Sequence, residues 1–210
     1  MVMNLRTGLV PEDELITGSI PWTKEEVRAV TLARLDLRPE DKVLEIGGGT
    51  GAMTVEIAHR VPRGSLCTIE KNKEAVKLIK SNQEKFNLTN LKVITGVGPG
   101  DLPSEQYARI FIGGSAGHLE EIFHYAEQHL SPQGIIVCNS VTLNTVNEVY
   151  TYFKTKNYQL KTSLVQVSKI VERGDYLMYQ GQNPIHVITI KPGSRLSGSE
   201  RSERGDTHGR

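Results

Sequence analysis

The chain has 210 residues, of which 23% are charged, and a formal net charge of +1. That length fits one folded domain with a sizeable core, and the balanced charge gives no basic surplus to mark nucleic acid as a main partner. No apolar run approaches membrane-spanning length, and the amino terminus lacks the apolar core of a secretory signal, so neither a membrane nor an export route is expected.

Residues 1–20 read as an irregular lead with Pro11 and two glycines. Thr23 and Glu26 form a capping box, which predicts a helix from Lys24 to about Leu35. Lys42 to Gly51 then reads as a short apolar strand, Val43–Ile46, that runs into a glycine turn. Met53, Val55, Ile57, Ala58 and Val61 supply one helical face, so a helix is predicted over Ala52–Val61, ended by Pro62. Further strands are expected at Leu66–Glu70, Leu91–Thr95, Arg109–Ile112, Ile135–Asn139, Leu160–Val167 and Ile185–Ile190. Helices are expected at Lys73–Phe86, His118–Leu130 and Leu143–Lys156.

This alternation demands a mostly parallel sheet with helices on both faces. The last two strands lack room for a helix between them and are expected to form a hairpin, which makes the final strand antiparallel. The predicted fold is therefore α/β and Rossmann-like, and seven strands with such an end resemble the sheet of class I S-adenosylmethionine-dependent methyltransferases more than the six-strand dinucleotide sheet. Residues 1–190 are read as a single domain. Residues 191–210 hold Leu196 as their only large apolar side chain and are expected to be a disordered tail. Cys67 and Cys138 both fall in predicted strands and read as reduced, buried thiols of a cytoplasmic protein.

Three glycines, Gly47-x-Gly49-x-Gly51, follow the first strand and open a helix. A backbone that must turn sharply and let a ligand approach needs glycine there, so the turn reads as a cofactor site at the carboxyl end of the strand. Gly47, Gly48, Gly49, Thr50 and Gly51 are the candidate wrapping residues. Glu70 ends the next strand roughly twenty residues on, where an acid can accept hydrogen bonds from both hydroxyls of a ribose. Such a ribose belongs to NAD and to S-adenosylmethionine (SAM) alike, and Gly47-x-Gly49-x-x-Ala52 also satisfies the looser dinucleotide pattern. Against NAD stands the tight glycine spacing with Glu45 in the strand, a form that resembles motif I of the SAM-dependent methyltransferases.

In a methyltransferase sheet the loop after the third strand lies against the adenine, so Val97 would offer an apolar contact and Gly98 room with an N–H; the same residues read equally as a simple turn. Gly113, Gly114 and Ser115 follow the fourth strand, where small residues make a shallow floor for a large flat substrate with carboxylates; Ser115 could equally cap the next helix. Asn139 and Thr142 bring polar groups to the cleft edge after the fifth strand. His118, His124 and His129 share a helix without the spacing of a two-histidine metal site, and no metal is expected. The Asn/Asp-Pro-Pro-aromatic motif of amine methylation is absent after the fourth strand.

These segments resemble the decarboxylating precorrin carbon-15 methyltransferases of cobalamin biosynthesis, which act on precorrin-6B or its cobalt form. The resemblance rests on Pro21-Trp22-Thr23-Lys24-Glu25-Glu26-Val27-Arg28-Ala29, Glu45 to Gly51, Ile112 to Gly117, Val141-Thr142-Leu143 and Asn183-Pro184-Ile185. It implies that Thr23 contacts SAM, that Gly47 to Gly51 wrap its methionine end, that Glu70 holds the ribose, and that Gly98 lies by the adenine. It also implies a tetrapyrrole substrate and a homotetramer, and it leaves open whether a separate carbon-5 methyltransferase protein partners the chain. Three departures stand out: Glu45 where Asp is common, Val97-Gly98 where an acidic residue and Ala are usual, and a longer tail.

Methyl transfer to an electron-rich carbon needs no strong base, only contact distance and exclusion of water, so no catalytic dyad is expected. Arg28 and Lys24 are the nearest candidate anchors for the substrate's carboxylates. Alternatives are a SAM enzyme with another acceptor, an NAD-dependent oxidoreductase, or a non-catalytic SAM-binding protein.

Overall fold

A computed structural model of the chain describes residues 8–193. The elements run α1 (Glu25–Leu35), β1 (Lys42–Ile46), α2 (Ala52–Arg60), β2 (Ser65–Glu70), α3 (Lys73–Lys85), β3 (Leu91–Thr95), β4 (Tyr107–Ile112), α4 (Leu119–His129), β5 (Leu130–Ser140), α5 (Leu143–Phe153), β6 (Tyr158–Val165), β7 (Ser168–Arg173), β8 (Tyr176–Gly181) and β9 (Ile185–Pro192). Seven strands form one sheet in the order β3-β2-β1-β4-β5-β9-β6, and β7 pairs with β8 in a separate two-stranded sheet.

β1 lies between β2 and β4, parallel to both, and β9 runs antiparallel to β5 and β6. The central strands are buried on both faces, as a parallel sheet covered by helices requires. Side chains alternate between the two cores. Val43, Leu66, Phe111 and Val137 pack towards α1, α2 and α3, while Leu44, Cys67, Ile110 and Ile136 pack towards α4 and α5. On that second side the Phe153 ring is fully buried, with ring centroids of Phe123, Tyr152 and Tyr158 at 5.1, 4.8 and 4.9 Å. Truncating such a ring to alanine costs about 3–5 kcal/mol.

Three features depart from the expectation. First, α1 starts one residue late and without its capping box. Its N-cap is Lys24, no side chain caps it, and the Glu25 N–H instead donates to Glu12 Oε1 of the lead at 3.0 Å. A carboxylate from thirteen residues upstream replaces the local hydroxyl. Second, the expected hairpin of the last two sheet strands exists as antiparallel pairing of β6 with β9, yet the chain between them is a second hairpin, β7–β8, turning at Gly174 (φ +60°). Third, β9 continues through Lys191 and Pro192, so the expected tail starts inside the strand. Residues 194–210 of that tail lie outside the described residues.

Helix α1 is pinned over the sheet at its carboxyl end. There Arg109, nearly buried in β4, donates to the carbonyls of Leu35 (Nε, 2.6 Å) and Asp36 (Nη2, 2.7 Å). These are orphan acceptors of a helix end, so Arg109 fixes the carboxyl end of the helix.

Candidate active site

Two concavities open at the carboxyl ends of β1, β2, β4 and β5, the place where open α/β sheets bind ligands. The smaller, about 100 Å³, is lined by Gly47, Glu70, Val97 and Gly98 and shares Gly114 and Ser115 with the larger. The larger, about 540 Å³, is lined by Thr23, Lys24, Gly113, Asn139, Thr142 and Asn183 among others. A bound molecule in the first would meet one in the second across the Gly114–Ser115 seam.

The small pocket is built mainly of backbone. Gly47 N–H donates to the Ile69 carbonyl at 2.9 Å, tying the turn to β2, and Gly113 N–H donates to Ile46 at 2.8 Å, tying the β4 loop to β1. The two loops touch so closely that a Cβ on Gly47 (φ +80°) would stand 2.6 Å from the Gly114 nitrogen. Gly49 is different. Its φ is +55°, and no heavy atom lies within 4 Å of where its Cβ would be, so the turn holds open space beside backbone suited to close approach.

Glu70 faces this space. Its Oε2 accepts the Gly49 N–H at 2.9 Å and its Oε1 the Asn72 N–H at 2.8 Å. Each carboxylate oxygen keeps a second acceptor site, enough for two hydroxyls. Glu70 thus shapes the glycine turn as well as offering acceptors to a ligand. Gly48, Thr50 and Gly51 face inward: a Cβ on Gly48 would meet Thr68 and Ile79, and the Thr50 carbonyl accepts Asn82 Nδ2 at 3.1 Å. They build the turn beneath the pocket.

Under the turn lies Glu45, fully buried, whose Oε2 accepts the Thr54 hydroxyl at 2.6 Å and whose Oε1 has no hydrogen-bond partner among the described residues. Burial pushes its carboxyl up to about 7, with the nearby Glu70 charge adding to the rise and the Thr54 and Thr68 hydroxyls opposing it.

The large cleft is walled by the segment before α1. Thr23 lines it, as does Lys24, whose Nζ sits 3.2 Å from the Trp22 ring centroid. Thr142 lines the cleft and also caps α5, accepting the Thr145 N–H at 3.2 Å. Ser115 does not cap the next helix; α4 has His118 at its N-cap and no side-chain cap bond. Cys138 lies along the cleft wall, buried, its thiol pushed up to about 12 by burial, which leaves it protonated.

Arg28 is not a substrate anchor. It is fully buried, 3.2 Å from Glu56 Oε1, and donates to the Val10 carbonyl at 2.6 Å and the Thr23 carbonyl at 3.2 Å. Glu56 in turn accepts the Val10 N–H and an Arg60 guanidinium nitrogen. A buried arginine without its carboxylate is costly, so this ion pair holds the lead and the cleft wall to α1 and α2. Lys24 is left as the only cation along the cleft among the described residues.

A family profile described as the precorrin methyltransferase domain matches residues 17–191. A protein of Sulfurisphaera tokodaii, named a probable cobalt-precorrin-6B C(15)-methyltransferase (decarboxylating), is 35% identical over 188 residues, covering 88% of this chain and 97% of the relative. The chain belongs to the precorrin methyltransferase family. A crystal structure of precorrin-6y C5,15-methyltransferase from Geobacter metallireducens superposes with a TM-score of 0.82 at 32% identity, covering 88% of this chain and 97% of that one. The structure of precorrin 8W decarboxylase from Methanobacterium thermoautotrophicum gives 0.80 at 25% identity, over 86% and 98%.

The same fold is found in a SAM-dependent O-methyltransferase from Thermotoga maritima, with a TM-score of 0.64 at 18% identity, and the methyl donor to weigh against this site is SAM. The residues fit it in one respect that geometry alone establishes: open space over a positive-φ glycine beside a doubly hydrogen-bonded acid. Several contributors escape a reading of the sequence alone. Gln182 and Asn183, at the foot of the β7–β8 hairpin, line the cleft; the Gly174-Asp175 pair between two β-branched and aromatic runs is the signal that could have revealed that hairpin. Thr31 and Glu12 carry no local signal, because their partners Asn139 and Glu25 are fixed only by tertiary packing.

Proposed function

We propose that the protein methylates carbon 15 of precorrin-6B or cobalt-precorrin-6B with SAM and removes the ring C acetate carboxyl, a step of cobalamin biosynthesis. The observation that carries the reading is the pair of joined concavities: a small backbone-lined pocket with an acid, sharing Gly114 and Ser115 with a cleft large enough for part of a flat macrocycle. In this reading Gly47, Gly49 and Glu70 hold the cofactor, with Val97 and Gly98 against the adenine, and Gly48, Thr50 and Gly51 support the turn. Thr23 reaches the cofactor from the cleft side. Gly113, Gly114, Ser115, Asn139 and Thr142 receive the tetrapyrrole, and Lys24 pairs with one of its carboxylates.

SAM supplies an electrophilic methyl group. This chain's part is to hold that group and the acceptor carbon in contact and to keep water out, which suffices for an electron-rich carbon. Carboxyl loss leaves an electron pair that the conjugated macrocycle can take up. A cleft with a single cation suits this step, since a carboxylate held by few charges is less stabilised than one in water.

The reading includes a domain over residues 1–190, a cytoplasmic location favoured by the two buried free thiols, and a separate protein for carbon-5 methylation. It also includes a homotetramer. In the β7–β8 hairpin Ile170, Tyr176, Leu177, Met178 and Tyr179 are each more than half exposed, and a lone two-stranded ribbon has no core of its own. Hairpins of other copies are the occupants that would cover it. Among the described residues no helix is long and apolar enough to cross a membrane.

Mass spectrometry of both macrocycles after incubation with the protein and SAM tests the function. One methyl gained and one carboxyl lost is the expected product. Methyl gain alone removes the decarboxylase part, and no change with S-adenosylhomocysteine binding intact leaves the fold and removes the acceptor.

A further inference from the structure

Asn139, next to last in β5, lines the large cleft, and a primary amide there can present either an acceptor or a donor to a ligand. Which one it presents is decided by its other partner. That partner is Thr31, buried on α1 and 108 residues away in the chain.

The Thr31 hydroxyl has one proton. Its nearest acceptor is the Val27 carbonyl at 2.7 Å, against 3.3 Å to Asn139 Oδ1. With the proton given to Val27, the hydroxyl oxygen is an acceptor, and Asn139 Nδ2 donates to it at 2.9 Å. One Nδ2 proton is thereby committed to α1. No other hydrogen-bond partner for Oδ1 is found among the described residues. The same helix carries Arg28, three residues earlier, which holds the carbonyl of Thr23, another residue of the cleft lining. One helix, tied down at both ends, thus holds two residues of one cleft.

Building on the proposed function, we infer that Thr31 is a positioning residue for the methyl acceptor: it locks the Asn139 amide so that Oδ1 is offered to an N–H or O–H donor of the macrocycle. Thr31 touches neither substrate. It acts through Asn139, which lines the large cleft and not the small pocket. The assignment therefore concerns the macrocycle and leaves cofactor affinity alone.

The test uses the full chain with four variants: Thr31→Val, Thr31→Ser, Asn139→Ala and the Thr31→Val/Asn139→Ala double variant. For each, kcat/KM for the macrocycle and the calorimetric affinity for S-adenosylhomocysteine are measured, with thermal unfolding to confirm folding. Loss of one oriented hydrogen bond predicts a fall of about tenfold in kcat/KM for Thr31→Val. Thr31→Ser keeps the hydroxyl and restores the rate, and S-adenosylhomocysteine affinity stays unchanged throughout. In the Asn139→Ala background Thr31→Val adds no further loss, because the group it orients is gone. A Thr31→Val rate equal to that of the unsubstituted protein overturns the assignment. So does an equal loss with and without Asn139, which would make Thr31 merely structural. If the unsubstituted protein binds S-adenosylhomocysteine but turns over neither macrocycle, the functional reading falls, and this assignment with it.

Discussion

The small pocket and the large cleft share two residues but are made differently. The pocket is a product of backbone: glycines after β1, β3 and β4, with one acid whose two oxygens are already used to hold N–H groups of the chain. The cleft is a product of side chains from segments far apart in sequence, among them Thr23 and Lys24 before α1, Asn139 near the end of β5 and Asn183 before β9. This contrast separates the general half of the site from the particular one. Backbone amides and a carboxylate suit any adenosine-type ligand, whereas the cleft's single lysine and its amides select one acceptor.

Substitutions can separate the two halves. The largest effect is expected from Gly47→Ala, since the added Cβ would meet the Gly114 backbone at 2.6 Å from a φ of +80°. Neither the clash nor the backbone can be relieved by a rotamer change, so S-adenosylhomocysteine binding and macrocycle turnover should both disappear and the unfolding temperature should fall. Binding that survived within about threefold would show that the two loops are not as tightly joined as their glycines imply.

Next comes Glu45, beneath the turn. Its carboxyl value in the folded protein, about 7, lies above the ordinary 4.5, so the native state holds this proton more firmly than the unfolded chain does. The associated stability is complete below about pH 4.5 and is lost as pH rises through 7, a contribution on the order of 3 kcal/mol. Glu45→Gln removes this dependence. Denaturant unfolding of the variant should gain on the unsubstituted protein between about pH 5 and pH 8, and parallel curves would deny the buried proton.

Glu70→Ala should weaken S-adenosylhomocysteine binding by roughly ten- to a hundredfold, the range for losing charge-assisted hydrogen bonds, while the macrocycle KM moves little. The smallest effect belongs to Lys24→Met, which should raise the macrocycle KM about threefold, as for a solvent-accessible ion pair, with S-adenosylhomocysteine affinity unchanged. If Glu70 altered the macrocycle KM and Lys24 the cofactor affinity, the division into pocket and cleft would be wrong.

The same division explains what was legible in the chain. Glycine spacing, an apolar strand before it and an acid at the end of the next strand are local signals, because a tight turn and a close ligand impose their demands on neighbouring residues. The alternation of strand and helix likewise exposed the sheet and its antiparallel final strand. Arg28 misled, since an arginine near a cleft-forming motif reads as an anchor, and only the fold reveals Glu56 and the Val10 carbonyl around it. The capping box misled for a similar reason: Glu12, brought back by the lead, satisfies the helix in place of Thr23. The β7–β8 hairpin passed unnoticed because its apolar residues face outward and give no buried period.

The decisive measurement is a single-turnover reaction of cobalt-precorrin-6B with SAM labelled with carbon-13 in its methyl group, followed by carbon NMR with release of carbon dioxide measured alongside. A decarboxylating carbon-15 methyltransferase gives one labelled methyl on ring carbon 15 and one carbon dioxide per macrocycle. Label on an oxygen or nitrogen, or no transfer while S-adenosylhomocysteine still binds, would contradict that assignment.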